Sequence, residues 1–260
     1  MTRSYRDDPM PVLRTDSLSV SFGGIHALAG VHLELDQQGV TGLIGPNGAG
    51  KTTFIDAVTG MVPSTGSVEL DGHDITNLST NERATRGLVR TFQTLELFED
   101  LTVEDNLAAA AEHTAWWQFI VDALIPRRTQ PVLPAVESAL ELLGLQDERH
   151  RLPADLSHGR RRLVGVARAL AAQPKVLLLD EPAAGLDSAE SLALGDRLRA
   201  IADTGVTVFL IDHDMGLVLD VCDQIHVLDF GSVIASGSPD QIRNDPAVVA
   251  AYLGRAAETS

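Results

Sequence analysis

The stretch "GPNGAGKTT", residues 45–53, decides how the rest of this 260-residue chain is read. It follows the pattern G-x-x-x-x-G-K-[ST], with Gly45, Gly50, Lys51 and Thr52 at the fixed positions. Pro46, Asn47, Gly48 and Ala49 form the loop between them, and Thr53 follows. Glycines at this spacing let successive backbone N–H groups turn toward phosphate oxygens. Lys51 is placed to reach β- and γ-phosphates, and Thr52 to offer its hydroxyl to Mg²⁺. The flanks suit the loop. "VTGLIG" (40–45) reads as a short buried strand ahead of it, and a helix is predicted after it, whose N-terminus favours an anion.

Working outward, the opening third is strand-rich. Leu18, Val20 and Phe22 alternate with serines, and Val31, Leu33 and Leu35 with His32 and Glu34. "SVELDGHDI" (67–75) reads as a hairpin on an Asp-Gly turn. The middle is helical. Thr102 is a predicted cap for a helix through Glu112, and Pro134 starts another through Leu143. Between them lies a proline-punctuated segment holding Trp116 and Trp117, for which no structure is predicted. Ser157 opens a helix whose inner face is Leu163, Val166, Ala167 and Leu170. The last third alternates strand and helix: "KVLLLD" (175–180), a helix from Ser188 to Thr204, "TVFLI" (207–211), then a hairpin over 224–237. Such alternation implies a parallel sheet in an α/β fold.

Two strand ends carry candidate chemistry. Asp180 closes a fully apolar strand, which puts its carboxylate at the C-terminal edge of the sheet, near the expected Mg²⁺. Glu181 is next and is placed to orient or deprotonate an attacking water. His213 follows the next strand and should lie on the same edge, within reach of a γ-phosphate; a structural histidine is the other reading. Gln93, after a short strand, is either a ligand to Mg²⁺ or water, or a plain loop amide.

"SHGRRR" (157–162) is the one concentration of basic residues in a chain with 36 acidic and 20 basic residues and a formal charge of −16. Ser157 is a good helix cap, and Gly159 is expected to leave the first N–H groups open to a small polyanion. Three consecutive arginines fan around a helix, so they do not form a nucleic-acid stripe, and the acidic balance argues against phosphate-backbone binding. Arg161 and Arg168 are expected on one solvated face. A single cysteine, Cys222, excludes an internal disulfide and fits a reducing compartment. No signal peptide and no membrane-spanning run are predicted.

In this order, the motifs resemble the ATP-binding-cassette (ABC) ATPase family over nearly the whole chain. The resemblance places Phe22 on adenine, "GPNGAGKTT" around the phosphates, Gln93 in the Q-loop, and Asp180 on Mg²⁺. It makes Glu181 the catalytic carboxylate, Asp187 of "AGLD" the D-loop aspartate, and His213 the switch histidine. "LSHGRRR" matches the family signature, with His158 in place of the first glycine of the commonest form and Arg160 in place of its glutamine. The implied fold is a phosphate-loop NTPase core with a parallel sheet, an antiparallel β subdomain and a helical subdomain. One domain is expected over 12–254, with core segments 12–92 and 173–254, a helical segment 93–172, and flexible tails at 1–11 and 255–260. The resemblance also implies that two cassettes pair head-to-tail around two ATPs. Ser157, His158, Gly159 and Arg160 of each chain then face the ATP held by the other.

Residues 83–107, the long insert before the signature and the tail "DPAVVAAYLG" (245–254) are similar to ATPase subunits of branched-chain amino-acid importers, with urea and amide importers and lipopolysaccharide-exporting ATPases as relatives. That branch implies integral-membrane permease partners, a second cassette, an indirect link to a solute-binding protein, and a place on the cytoplasmic face of the cell membrane. Leu95, Leu97 and Phe98 are either the patch that docks on the permease or a local core. Regulatory and DNA-repair cassettes fit less well, because the 64 residues from Gln93 to Ser157 leave no room for a long coiled coil.

Overall fold

The computed structural model describes residues 10–91, 97–112 and 134–256. The chain begins with an antiparallel pair, β1 (Leu13–Phe22) and β2 (Ile25–Leu35). Their turn is Gly23-Gly24, at φ 54° and 86°, a conformation that glycine adopts without strain. β3 (Gly39–Ile44) runs into the phosphate loop and α1 (Lys51–Val58). β4 (Thr65–Leu70) and β5 (His73–Asp74) form the expected hairpin, with Asp71 and Gly72 both at positive φ, as a tight hairpin turn requires. Next come α2 (Thr80–Thr85) and the short β6 (Leu88–Arg90).

The helical region holds α3 (Val103–Glu112), α4 (Pro134–Leu143) and α5 (His158–Ala171). Thr102 caps α3 as predicted: its hydroxyl accepts from the Asp105 N–H at 3.2 Å. Strand and helix then alternate through β7 (Val176–Asp180), α6 (Ser188–Asp203), β8 (Thr207–Ile211), α7 (Met215–Val221), β9 (Gln224–Asp229) and β10 (Ser232–Gly237). Two helices follow, α8 (Pro239–Arg243) and α9 (Pro246–Ala256). The last runs on past residue 254, into the start of the expected tail.

Among the described residues there are two sheets. The smaller has the order β2-β1-β4-β5 and is antiparallel; the larger has the order β10-β9-β3-β8-β7-β6. In the larger sheet β9, β3, β8, β7 and β6 are parallel, and β10 is an antiparallel edge strand. Alternate residues of its central strands enter two different cores. Leu177, Leu179, Val208 and Leu210 pack on the side of α3 to α7. Val176, Leu178, Phe209 and Ile211 pack against α1 and the antiparallel sheet. Burial on both faces explains the unbroken apolar runs of β7 and β8. The register aligns the strand ends: Asp180 and Leu43 each sit beside Ile211, and Ile44 beside Val227. The residues after β3, β7 and β8 therefore emerge at one edge. No described helix is long and apolar enough to cross a membrane.

His226 of β9 is buried beneath the antiparallel sheet. Burial pushes its pKa from 6.5 down to about 4, against smaller opposing effects of the Glu34 backbone and the Asp36 carboxylate. A lowered imidazole pKa means that the unfolded chain binds the proton first as pH falls. The neutral ring's contribution is complete above pH 6.5 and is lost as pH falls from there to about 4. Urea unfolding at pH 7 and pH 4.5 should show wild type losing about 2–3 kcal/mol more than His226→Leu over that interval. Equal losses in the two proteins would show that the folded and unfolded states take up the His226 proton alike, so that folding does not lower its pKa.

Candidate functional site

The phosphate loop is shaped by contacts that only glycine permits. A Cβ on Gly45 would lie 2.0 Å from the Leu228 carbonyl oxygen, and one on Gly50 2.6 Å from that of Ala27. Both glycines have positive φ, as does Gly48, around which there is open space. Pro46 and Ala49 are buried and anchor the loop, the Ala49 carbonyl accepting from the Gly231 N–H at 2.9 Å. Asn47, Gly48 and Thr52 are exposed, whereas Thr53 is half-buried. Gly50 caps α1 without a side chain, so no side chain covers the first N–H groups of that helix. The Lys51 ammonium folds over the loop and donates to the carbonyls of Gly45 (2.7 Å) and Pro46 (3.1 Å). A concave backbone, an open helix start and a central cation together suit a polyphosphate.

Asp180 lies at the end of β7, its side chain fully buried. It is held by a residue that sequence reasoning missed. Arg90, from the end of β6, donates to Asp180 at 2.9 Å and also pairs with Asp56 of α1. One buried guanidinium thus joins the phosphate-loop helix to the acidic strand. A buried carboxylate needs such a partner to remain charged. Nothing local in "LVR" signals this pairing, which arises because β6 lies beside β7.

Glu181 has φ 51°, unusual for a residue with a side chain. Its N–H donates to the Ile211 carbonyl at 2.7 Å, which fixes it against the end of β8. Beyond β8, Asp212 is buried and its carboxylate accepts from the N–H groups of Ala183 (3.0 Å) and Asp214 (2.9 Å). His213 is largely exposed, with Nδ1 3.6 Å from Asp212. The structure thus brings the phosphate loop, Asp180, Glu181 and His213 to one sheet edge. Gln93 and Leu95 lie outside the described residues.

The signature segment starts α5. Ser157 is the N-cap, its hydroxyl accepting from the Arg160 N–H at 3.3 Å, and His158 is the first helical residue rather than a residue before the helix. Ser157 and His158 are exposed but Gly159 is buried. Its value is therefore close packing: a Cβ there would meet Glu190 at 2.7 Å and Leu186 at 3.2 Å. Glu190 belongs to the capping box of α6, in which Asp187 accepts from the N–H groups of Ala189 and Glu190, both at 2.9 Å. Asp187 is thus tied into its own helix start. The three arginines diverge as expected, but each has a partner. The Arg160 side chain turns back into its own chain, donating to the Gly144 carbonyl (2.5 Å) and Glu148 (2.6 Å). Arg161 pairs with Glu99, and Arg168 lies 5.7 Å above the Phe98 ring. These two do share a face, but it is half-buried rather than solvated, because the segment 98–102 lies on it.

That segment is latched from the other side by Asn106. This fully buried amide accepts from the Phe98 N–H (2.9 Å) and donates to the carbonyls of Phe98, Leu101 and Thr102. Leu97 is buried in the helical core, while Phe98 is 50% exposed. A docking patch containing both is therefore corrected: Leu97 is core and Phe98 is surface. Phe98→Ser should cost about 1 kcal/mol or less, the scale of its contact with Arg168. Leu97→Ser should cost about 2–5 kcal/mol, as for other truncations of buried leucine. Thermal unfolding of the two variants checks the assignment, and equal losses would contradict it.

Phe22 sits at the β1–β2 hairpin tip and is 52% exposed, so it is not a core residue. Ala27 of the same hairpin presses on Gly50, which brings the tip alongside the phosphate loop. Phe22→Ala should weaken nucleotide binding by about 1–3 kcal/mol, the scale of aromatic–base stacking, and leave Tm nearly unchanged. Unchanged affinity in an equilibrium titration would remove Phe22 from the site. Sequence reasoning also missed Tyr252 of α9, whose phenol lies near the Gly45 backbone, where partial burial raises its pKa.

The comparisons with known proteins agree with this geometry. Residues 28–184 match the ABC transporter family, and residues 232–258 match the family described as branched-chain amino acid ATP-binding cassette transporter. The high-affinity branched-chain amino acid transport ATP-binding protein BraF of Pseudomonas aeruginosa is 38% identical over 256 residues, covering 95% of this chain and 99% of its own. The corresponding protein LivG of Escherichia coli is 38% identical over 252 residues, with the same coverage. Among solved structures, the ADP conformation of an ATP-binding cassette of an ABC transporter superposes with a TM-score of 0.82 at 32% identity, covering 94% of this chain and 99% of that one. With the family model matching residues 28–184 and relatives 38% identical over nearly its whole length, the chain belongs to the ABC transporter ATP-binding family.

Proposed function

We propose that this chain is the ATPase subunit of an importer for branched-chain amino acids or related small polar solutes. The observation that carries the reading is the convergence of the phosphate loop, Asp180, Glu181 and His213 at one sheet edge, in a chain whose C-terminal segment matches the branched-chain family. ATP is bound by the loop from Gly45 to Thr53, with Phe22 on the adenine. The donors fit Mg²⁺: Thr52 and Asp180 offer oxygen ligands at the phosphate-loop edge, and Gln93 is a third ligand by resemblance. Mg²⁺ supplies charge neutralisation on the phosphate oxygens. Glu181 takes a proton from water as the water oxygen attacks the γ-phosphorus. The bond to the β-phosphate oxygen breaks, releasing ADP and phosphate, and His213 contacts the γ-phosphate.

In this reading the chain works with a second cassette, identical or related, whose signature residues Ser157 to Arg160 complete the site. It sits on the cytoplasmic face of the membrane against permease subunits, and a solute-binding protein acts through them. No nucleic acid is involved, in keeping with the formal charge of −16. Exposed Phe98, fixed on the signature helix by Arg168, is the proposed permease contact. The test is reconstitution of the chain in vesicles with the permease subunits that it co-purifies with and a solute-binding protein for branched-chain amino acids. ATP-dependent uptake of leucine, isoleucine or valine supports the reading. Uptake of none of them, with ATP turnover coupled to export of a lipid, would replace it.

A further inference from the structure

We propose that Arg162 is a positioning residue for ATP hydrolysis, tying the peptide of Glu181 to the start of the signature helix. This inference rests on the assignment of Glu181 as the proton acceptor. Three observations carry it. The Arg162 Nη1 donates to the Glu181 carbonyl oxygen at 3.1 Å. Its Nε contacts the ring Nε2 of His158, one helical turn back, at 3.3 Å. And Glu181 holds φ 51° although it precedes Pro182, which by itself favours an extended backbone at residue 181.

Pro182 works against this conformation at Glu181, so hydrogen bonds on both sides of the residue hold it there. On one side is the Glu181 N–H bond to the Ile211 carbonyl, at 2.7 Å. On the other, the Glu181 carbonyl accepts from Arg162 and from the Ala184 N–H at 3.2 Å. Of these bonds, Arg162's alone comes from the signature helix, and a charged donor makes it strong. The guanidinium is partly buried, and the charges of Asp212 and Glu181 act on it. Arg162 thus joins His158 of the signature to the Glu181 loop after β7. The contact also gives a role to His158, the departure from the commonest signature, because its ring braces the guanidinium. A shift of the helix start then moves the carboxylate that receives the proton, although the two belong to different ATPs in the paired arrangement.

The test is steady-state ATPase kinetics and equilibrium ATP binding for Arg162→Met, Arg162→Lys and Arg162→Met in a Glu181→Gln background. Misplacing a catalytic group by about 1 Å costs on the order of 10²-fold, so kcat of Arg162→Met should fall about 10- to 100-fold. KM and ATP affinity should hold within about twofold, because the group lost acts only on the chemical step. Arg162→Lys, which keeps a donor, should lie between and serves if the methionine variant is unstable. Adding Arg162→Met to Glu181→Gln should change nothing further, because the two act through one group. Normal kcat in Arg162→Met while Glu181→Gln is slow would overturn the inference. So would a rise in KM with kcat unchanged, which would put Arg162 on ATP itself, or a further loss in the double variant. Near-normal hydrolysis in Glu181→Gln alone would instead remove the reading on which the inference stands.

Discussion

Glu181→Gln should keep ATP binding and slow turnover by about 10²–10⁴-fold, the usual contribution of a positioned general base. Glutamine preserves the shape and the backbone bond to Ile211 but cannot accept the proton of the attacking water. Binding should survive because the phosphate loop is built from glycine contacts and from Lys51, none of which involves Glu181. With chemistry blocked and ATP retained, the protein should accumulate as an ATP-bound dimer, visible by size-exclusion chromatography. Hydrolysis near the wild-type rate would remove Glu181 from the chemistry.

Much of the fold and site can be read from sequence because it depends on local rules. The Asp71-Gly72 turn, the Thr102 and Ser157 caps and the runs of β7 and β8 each depend on neighbours in the chain or on burial of a whole element. The convergence of Asp180, Glu181 and His213 follows from parallel pairing, which strand–helix alternation already implies.

What is not legible depends on contacts between distant segments. Arg90 finds Asp180 only because β6 lies beside β7, and Asn106 finds the carbonyls of 98–102 only once α3 turns back on that loop. Leu97 and Phe98 are adjacent and both apolar, so no pattern separates the buried one from the exposed one. Arg161 and Arg168 lie on the predicted face, but the segment covering it comes from about sixty residues earlier in the chain, near Glu99. Gly159 reads from sequence as opening a helix end, whereas its lack of a Cβ admits Glu190, a residue of the next helix.

In the proposed arrangement each ATP is enclosed by two chains, the phosphate loop of one and the Ser157 helix start of the other. One measurement tests this most directly. Lys51→Ala removes the cation at the centre of the loop. Ser157→Arg removes the cap and sets a long charged side chain at the exposed helix start. Each variant alone should be nearly inactive, because every site in its dimer is damaged. In a mixed dimer one site carries both lesions and the other carries none, so ATPase activity should partly return on mixing. If the natural partner is a related cassette, the two changes belong in the two different chains. Recovery of activity in the mixture is the predicted result. Confirmed mixed dimers with no recovery would show that both segments serve the ATP of a single chain, which contradicts enclosure by two.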